Sequence, residues 1–329
     1  MPRLPRPSVD EFAEGIALGN RLLLSRAITL AESTLSADRA DSLQLLDTIR
    51  PNTGRANRIA VTGAPGAGKS TFLEAFGQEL IKRGETIALL TIDPSGLRRP
   101  GSILGDKTRM EILSRMPEAY IRPSPSGGAQ GGIGTATAEA ILLCEAAGFS
   151  TVIVETVGVG QNEVPVHNLT DLFMLLTLPG AGDEVQGIKR GIMEMADIVV
   201  ITKADGDNLT RANIALSDCR NALHLMPPTG WGWAPPVLLS SAYTGSGIAD
   251  VADSVEMFFK TALESGHLPA KRSAQQAEAF RKLLSQLLTE RLYSPADKAD
   301  LLAAIEQDVL AGKAGVRAAA EKALDILFS

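Results

Sequence analysis

The sequence predicts an α/β fold in which a mainly parallel sheet is covered by helices and flanked by helical extensions at both ends. Three observations carry that expectation. Short β-branched runs alternate with helical stretches through the middle of the chain, the pattern of strand–helix–strand units. A glycine-rich turn, Gly63-Ala64-Pro65-Gly66-Ala67-Gly68-Lys69-Ser70, stands between one such run and a helical pattern. On either side of this middle region the strand signal is missing, and apolar residues recur at helical spacing instead.

Residues 1–55 read as a helical extension. Ser8 and Glu11 have capping-box spacing, and Phe12, Ile16, Leu23, Ile28 and Leu30 follow at roughly helical intervals. A second short helix carries Leu43, Leu46 and Ile49 and is stopped by Pro51. Residues 56–265 hold six expected strands: Arg58–Thr62, Thr86–Ile92, Thr151–Glu155, Leu172–Leu178, Ile198–Thr202 and Val237–Ser240. Several are apolar throughout, as strands become when helices cover both faces of a sheet. Residues 266–329 read as three amphipathic helices broken at Ser294-Pro295 and at Gly312 and Gly315. A glycine-rich tract, Ser126–Gly134, is the one biased segment.

Composition narrows the classes. Hydrophobic residues make up 45% and charged residues 21% of 329 positions, the balance of a globular chain. A net charge of −6 gives no electrostatic reason to bind nucleic acid or an anionic membrane. No uncharged apolar run approaches the roughly 20 residues that span a bilayer, and the opening Met-Pro-Arg-Leu-Pro-Arg-Pro lacks the apolar stretch of a secretory signal. The expected location is the cytoplasm. The two cysteines, Cys144 and Cys219, lie in apolar helical contexts and read as small buried hydrophobes.

The turn at Gly63–Ser70 has the G-x-x-x-x-G-K-[ST] pattern of a phosphate-binding P-loop, placed between strand and helix as the mechanism needs. Its glycines let backbone N–H groups turn toward phosphate oxygens, and the following helix contributes the positive end of its dipole. Lys69 is expected to reach the β and γ oxygens and Ser70 to ligate Mg²⁺. The base is argued from Thr202-Lys203-Ala204-Asp205 at a strand end. A carboxylate at Asp205 accepts from the guanine N1–H and exocyclic amine, a donor pair adenine does not offer, while the Lys203 stem packs along the base. Three acids are candidates for the metal and the attacking water. Asp93 and Glu155 terminate apolar strands beside the loop, and Asp106 lies in a glycine-flanked segment.

Beyond the loop, long strings are familiar. Asp93-Pro-Ser, Gly101-Ser-Ile-Leu-Gly-Asp106-Lys107-Thr-Arg109-Met, Glu155-Thr-Val-Gly158-Val-Gly160-Gln161 and Leu178-Pro-Gly-Ala-Gly-Asp183-Glu184-Val-Gln186-Gly187-Ile-Lys189 closely resemble the methylmalonyl-CoA mutase-associated GTPases, the MeaB/ArgK-like family. Arg26-Ala-Ile-Thr-Leu-Ala-Glu-Ser carries the likeness toward the N-terminus. The resemblance implies a P-loop GTPase using GTP/GDP and Mg²⁺, acting as a chaperone that protects, loads or reactivates an adenosylcobalamin-dependent acyl-CoA mutase. It also implies a homodimer joined through the C-terminal helices. It puts Asp93, Asp106 and Glu155 on the metal and hydrolysis positions, and Asp93–Met110, Gly158–Asp171 and Leu178–Met193 on switch segments. Thr71, Gly158, Ser241 and Ala242 complete the expected nucleotide contacts. The chain departs from the family pattern at Thr202, where Asn is common, at Gly96, where a second Ser is usual, and at Asn162, where Ser usually follows Gly-Gln.

Other features read more plainly. Arg98 and Arg99 could serve as an arginine finger, though an Arg pair in a glycine-rich loop is more often solvated. Lys107 reads as a surface charge, and so does Lys189, although the resemblance also makes it a switch contact. His167, His224 and His267 are scattered singly, and Trp231 and Trp233 suit either a partner-facing loop or loop packing. Two rival functions remain: an ATP-using kinase of the kind the ArgK name once implied, which Asp205 opposes, and a metal-delivery GTPase, which would need a His or Cys ligand cluster.

Overall fold

The computed structural model of the chain describes residues 6–33, 35–93, 110–125, 133–156, 166–179, 190–226, 229–293 and 296–328. They form two compact units, Met1–Arg272 and Ser273–Ser329. In the first, seven strands make one sheet: β1 (Asn57–Gly63), β2 (Ile87–Asp93), β3 (Ala119–Pro125), β4 (Thr151–Glu155), β5 (Leu172–Thr177), β6 (Ile198–Ile201) and β7 (Val237–Leu239). Their order is β3-β2-β4-β1-β5-β6-β7, and every pairing is parallel. The helices are α1 (Val9–Ala17), α2 (Arg21–Ala31), α3 (Ser36–Ile49), α4 (Lys69–Lys82), α5 (Ile133–Ala146), α6 (Arg190–Glu194), α7 (Leu209–His224), α8 (Ile248–Glu264), α9 (His267–Tyr293), α10 (Ala296–Leu310) and α11 (Val316–Phe328).

Alternation along each strand divides the core in two. Ile59 and Val61 of β1 pack with Phe72 and Phe76 of α4 and Phe258 of α8, whereas Ala60 joins Phe12, Ile16, Leu24, Ile28 and Leu45 of α1–α3. The N-terminal helices are thus part of the packing of one sheet face, with α2 and α3 laid against α5. From β1 the chain crosses to β2 on one side, and from β5 it crosses to β6 on the other. Adjacent strands β1 and β5 therefore diverge, and the crevice beyond their carboxyl ends is where open α/β sheets bind ligands.

The sequence reading needs three corrections. The first helical stretch is two helices. Gly19 takes a left-handed φ of 72° and the Asn20 side chain accepts from Leu22 and Leu23 N–H, capping a new start that periodicity does not reveal. Leu43 is 52% exposed, and Leu45 fills the core instead, with Ile49. The seventh strand, β3, was not expected. Ile121 is its one β-branched residue and Pro123 and Pro125 fall within it, proline being tolerated there because β3 is an edge. The capping box at Ser8 and Glu11 is present as read.

The second unit contains α10 packed on α11, with Ile305 and Ala319 buried. The break between α10 and α11 falls at Gly312, as expected, and Ser294-Pro295 lie outside the described residues. Leu283, Leu284, Leu287, Leu288, Leu301 and Leu324 stay substantially exposed.

Candidate nucleotide-binding site

Strand β1 ends at Gly63, which pairs with Leu176 of β5 so closely that a Cβ there would sit 2.3 Å from the Leu176 carbonyl oxygen. Only glycine fits, so the loop must begin at this point. It turns through an Ala67 N–H to Ala64 carbonyl bond of 3.1 Å and reaches Gly68, whose φ of 76° caps α4. Lys69 opens that helix as a largely buried residue. Its Nζ donates to the Gly63 and Ala64 carbonyls at 2.8 and 3.3 Å, so the ammonium lies within the concave side of the loop. The Ser70 hydroxyl lies 3.4 Å from Glu155 Oε1, at the end of β4. Glu155 is held there by register with Val61, and the next residue, Thr156, continues the ladder by donating from its N–H to the Val61 carbonyl. Thr156 also donates to the Thr62 hydroxyl at 2.8 Å. A hydroxyl and a carboxylate meeting beside a phosphate loop are hard oxygen donors of the kind Mg²⁺ takes.

The base end is built from the strand ends beyond β6 and β7. Thr202 is buried, and Lys203 has a φ of 54°, a left-handed turn rare for a residue with a side chain. That turn lets the chain reverse while Ala204 N–H bonds to the Ser240 carbonyl. The Lys203 Cε would lie 3.6 Å from a Cβ on Gly68, so its stem runs over the loop. The Asp205 carboxylate accepts a hydrogen bond from the buried Ser241 hydroxyl, which also accepts from Thr244 N–H. Asp205 is thereby fixed in orientation before any ligand arrives. A cavity of about 280 Å³ opens between these parts, lined by Ala67, Gly68, Thr71, Phe72, Thr202, Lys203, Asp205, Asn208, Ala242 and Tyr243.

The fold thus gathers the predicted loop, Thr71, Thr202, Lys203, Asp205, Ser241 and Ala242 around one crevice. Asp93 ends β2, two residues beyond the level of Thr91, which pairs with Glu155; its backbone alone is described. Asp106 and Gly158 lie outside the described residues, as do Arg98, Arg99, Lys107, Lys189, Gly96 and Asn162. Three lining residues escaped the sequence reading. Tyr243 follows directly on Ala242, and Asn208 stands three positions past Asp205, so adjacency was the available signal. Phe72 belongs to the buried face of α4. Among the described residues, no group of three or more His, Cys, Asp or Glu gathers as a metal cluster, and no helix is long and apolar enough to cross a membrane. The tryptophans are loop packing. Trp233 Nε1 donates to the Asp197 carbonyl at 2.9 Å, and Trp231 stacks on both Trp233 and His267. Cys144 and Cys219 are buried, and burial raises both thiol pKa values.

The sequence profile of the family described as "Methylmalonyl Co-A mutase-associated GTPase MeaB" matches residues 24–297. The chain belongs to this family. It is a P-loop GTPase, as its loop and strand order already indicate. Among its relatives, the GTPase ArgK of Escherichia coli is 45% identical, covering 95% of this chain and 96% of its own. The mouse protein named methylmalonic aciduria type A homolog, mitochondrial, is 42% identical, covering 92% of this chain and 76% of its own. A crystal structure titled LAO/AO transport system kinase superposes with a TM-score of 0.77 at 36% identity, over 99% of both chains.

Proposed function

We propose that this MeaB-family protein is a GTP-hydrolysing chaperone that binds an adenosylcobalamin-dependent acyl-CoA mutase, methylmalonyl-CoA mutase first among the candidates, and protects, loads or reactivates it. The observation that carries the nucleotide half is Asp205, oriented by Ser241 at a cavity that opens onto the phosphate loop. A carboxylate set as an acceptor suits the two donors on guanine and repels the N1 lone pair of adenine, which argues against an ATP-using kinase. The family description and the name of the mouse relative support a mutase as partner.

In this reading the loop Gly63–Ser70 holds the phosphates, and Lys69 shifts its ammonium from the loop carbonyls to the β and γ oxygens. Ser70 and Glu155, joined by Asp93 and Asp106, would hold Mg²⁺, which would supply charge neutralisation at the transferred phosphoryl group. The same acids orient the attacking water. A partner that prefers one nucleotide state must shift the cycle, and the nucleotide must shift partner affinity by the same free energy. The test is GTP turnover with and without the cognate mutase, beside mutase affinity in GDP and in a non-hydrolysable GTP analogue. Faster turnover and unequal affinities are expected; equal values throughout would reject the coupling.

The exposed leucines of α9–α11 support a homodimer through this tail, since a surface this apolar is normally covered. Light scattering on a chain ending after Arg272, which keeps that residue's bonds to Asp171, should give a monomer. A dimer that survives this truncation rules the tail out as the interface.

A further inference from the structure

One hydroxyl joins the two halves of the site. Thr202 Oγ1 lies 2.7 Å from the Ala67 carbonyl oxygen and 3.1 Å from that of Thr177. A threonine hydroxyl carries a single proton. The Thr177 carbonyl already accepts the Thr202 backbone N–H at 2.9 Å, so the shorter contact, to Ala67, is where that proton goes. Ala67 sits in the middle of the phosphate loop, and Thr202 lines the base cavity at 4% exposure. With its proton committed to the loop, Thr202 offers the cavity only oxygen lone pairs. Purine N7 is itself an acceptor and cannot bond to them. An Asn at this position would bring two amide protons, one for the loop and one for the base. On the opposite edge of the base, Asp205 is an acceptor oriented by Ser241.

We infer that Thr202 is a positioning residue that straps the phosphate loop to the base-binding strand end, and that this chain reads guanine along its N1 and 2-amino edge while Thr202 gives N7 no donor. The inference rests on the guanine reading above and deepens it. The strap makes loop geometry, and hence phosphate affinity, depend on a residue in the base pocket.

The experiment measures binding of GTP, 7-deaza-GTP, inosine triphosphate, ATP and inorganic tripolyphosphate to the full chain and to Thr202→Val and Thr202→Ser. For the unsubstituted protein, 7-deaza-GTP should match GTP within about twofold, whereas inosine triphosphate, lacking the 2-amino group, should bind roughly tenfold or more weakly. Thr202→Val leaves the Ala67 carbonyl buried without its donor, so affinity for GTP and for tripolyphosphate should fall together, by roughly 5- to 100-fold. Thr202→Ser should recover what Thr202→Val loses. Binding of 7-deaza-GTP tenfold weaker than GTP would overturn the inference. So would a Thr202→Val loss seen with GTP and absent with tripolyphosphate. If ATP binds as well as GTP, the guanine reading fails on its own, and the tripolyphosphate comparison still decides the strap. Should Thr202→Val not fold, the 7-deaza comparison on the unsubstituted chain decides the N7 half, and Thr202→Ala, which removes the same donor, replaces it in the tripolyphosphate comparison.

Discussion

The two ends of the parallel sheet put buried charge to different uses. At the amino end, the fully buried Asp171 carboxylate accepts from Arg58 N–H at 2.9 Å and from Arg272 at 2.8 and 2.6 Å, while Lys271 donates to the Asp171 carbonyl. Arg272 also donates to the Gly54 and Ala56 carbonyls, and Arg58 is paired with Glu145 at 2.7 Å. There, opposite charges and backbone groups satisfy each other within the protein. At the carboxyl end, Lys69 donates to neutral carbonyls of its own loop, and Ser70 meets Glu155 at a loose 3.4 Å. Tight mutual pairing marks charge that maintains the fold. An ammonium on the inner side of a phosphate loop and a carboxylate within reach of a hydroxyl stand where a nucleotide and its metal would meet them.

The sharpest way to break this contrast is to remove a cation from each end. Arg272→Ala strips a 0%-exposed carboxylate of its main partner and should cost about 3–5 kcal/mol in urea unfolding, with GTP turnover per folded molecule unchanged. Lys69→Ala should do the reverse: turnover falls by about 10²–10³, while unfolding free energy moves by less than it does for Arg272→Ala. If Lys69→Ala unfolds the protein, or Arg272→Ala leaves stability intact, the two ends do not differ as argued. Asp205→Asn comes next. Swapping acceptor for donor opposite N1 should weaken GTP roughly 10- to 100-fold and favour xanthosine triphosphate, whose oxygen replaces the amine; an unchanged preference for guanine would remove Asp205 from base reading.

The smallest effect concerns a carboxyl at neither end. Glu139, on α5, is pushed up to about 7 because burial outweighs the attraction of Arg39. A raised folded-state value means that the stability tied to this proton is complete below the ordinary 4.5 and is lost as pH rises through about 7. Glu139→Gln should therefore stabilise the protein at pH 8 by about 1–3 kcal/mol and change nothing near pH 4. A pH-independent difference between the two melting curves would show that desolvation of this carboxylate is not the cause.

Much of the site could be read from sequence because its instructions are local. Gly63 to Ser70 specify turn, helix start and ammonium within eight consecutive positions, and a strand of Ile, Ala and Val ahead of them fixes the depth of the loop in the sheet. What escaped was non-local. The Ser241 hydroxyl that orients Asp205 comes from 36 residues away, and the Arg272 guanidinium that neutralises Asp171 from 101. No periodicity encodes such pairs. Strand β3 escaped for a different reason, since its alternation is broken by prolines that only its edge position permits.

Those prolines have a consequence for how copies of this molecule behave in a crowd. An open sheet invites a neighbour to add a strand along its rim, because unpaired N–H and C=O groups there form a ready template. Here one rim, β3, contains Pro123 and Pro125, which have no N–H to offer. The other, β7, is three residues long and follows directly on Pro235 and Pro236. Neither rim presents a long donor ladder, so the sheet resists growing sideways into aggregates.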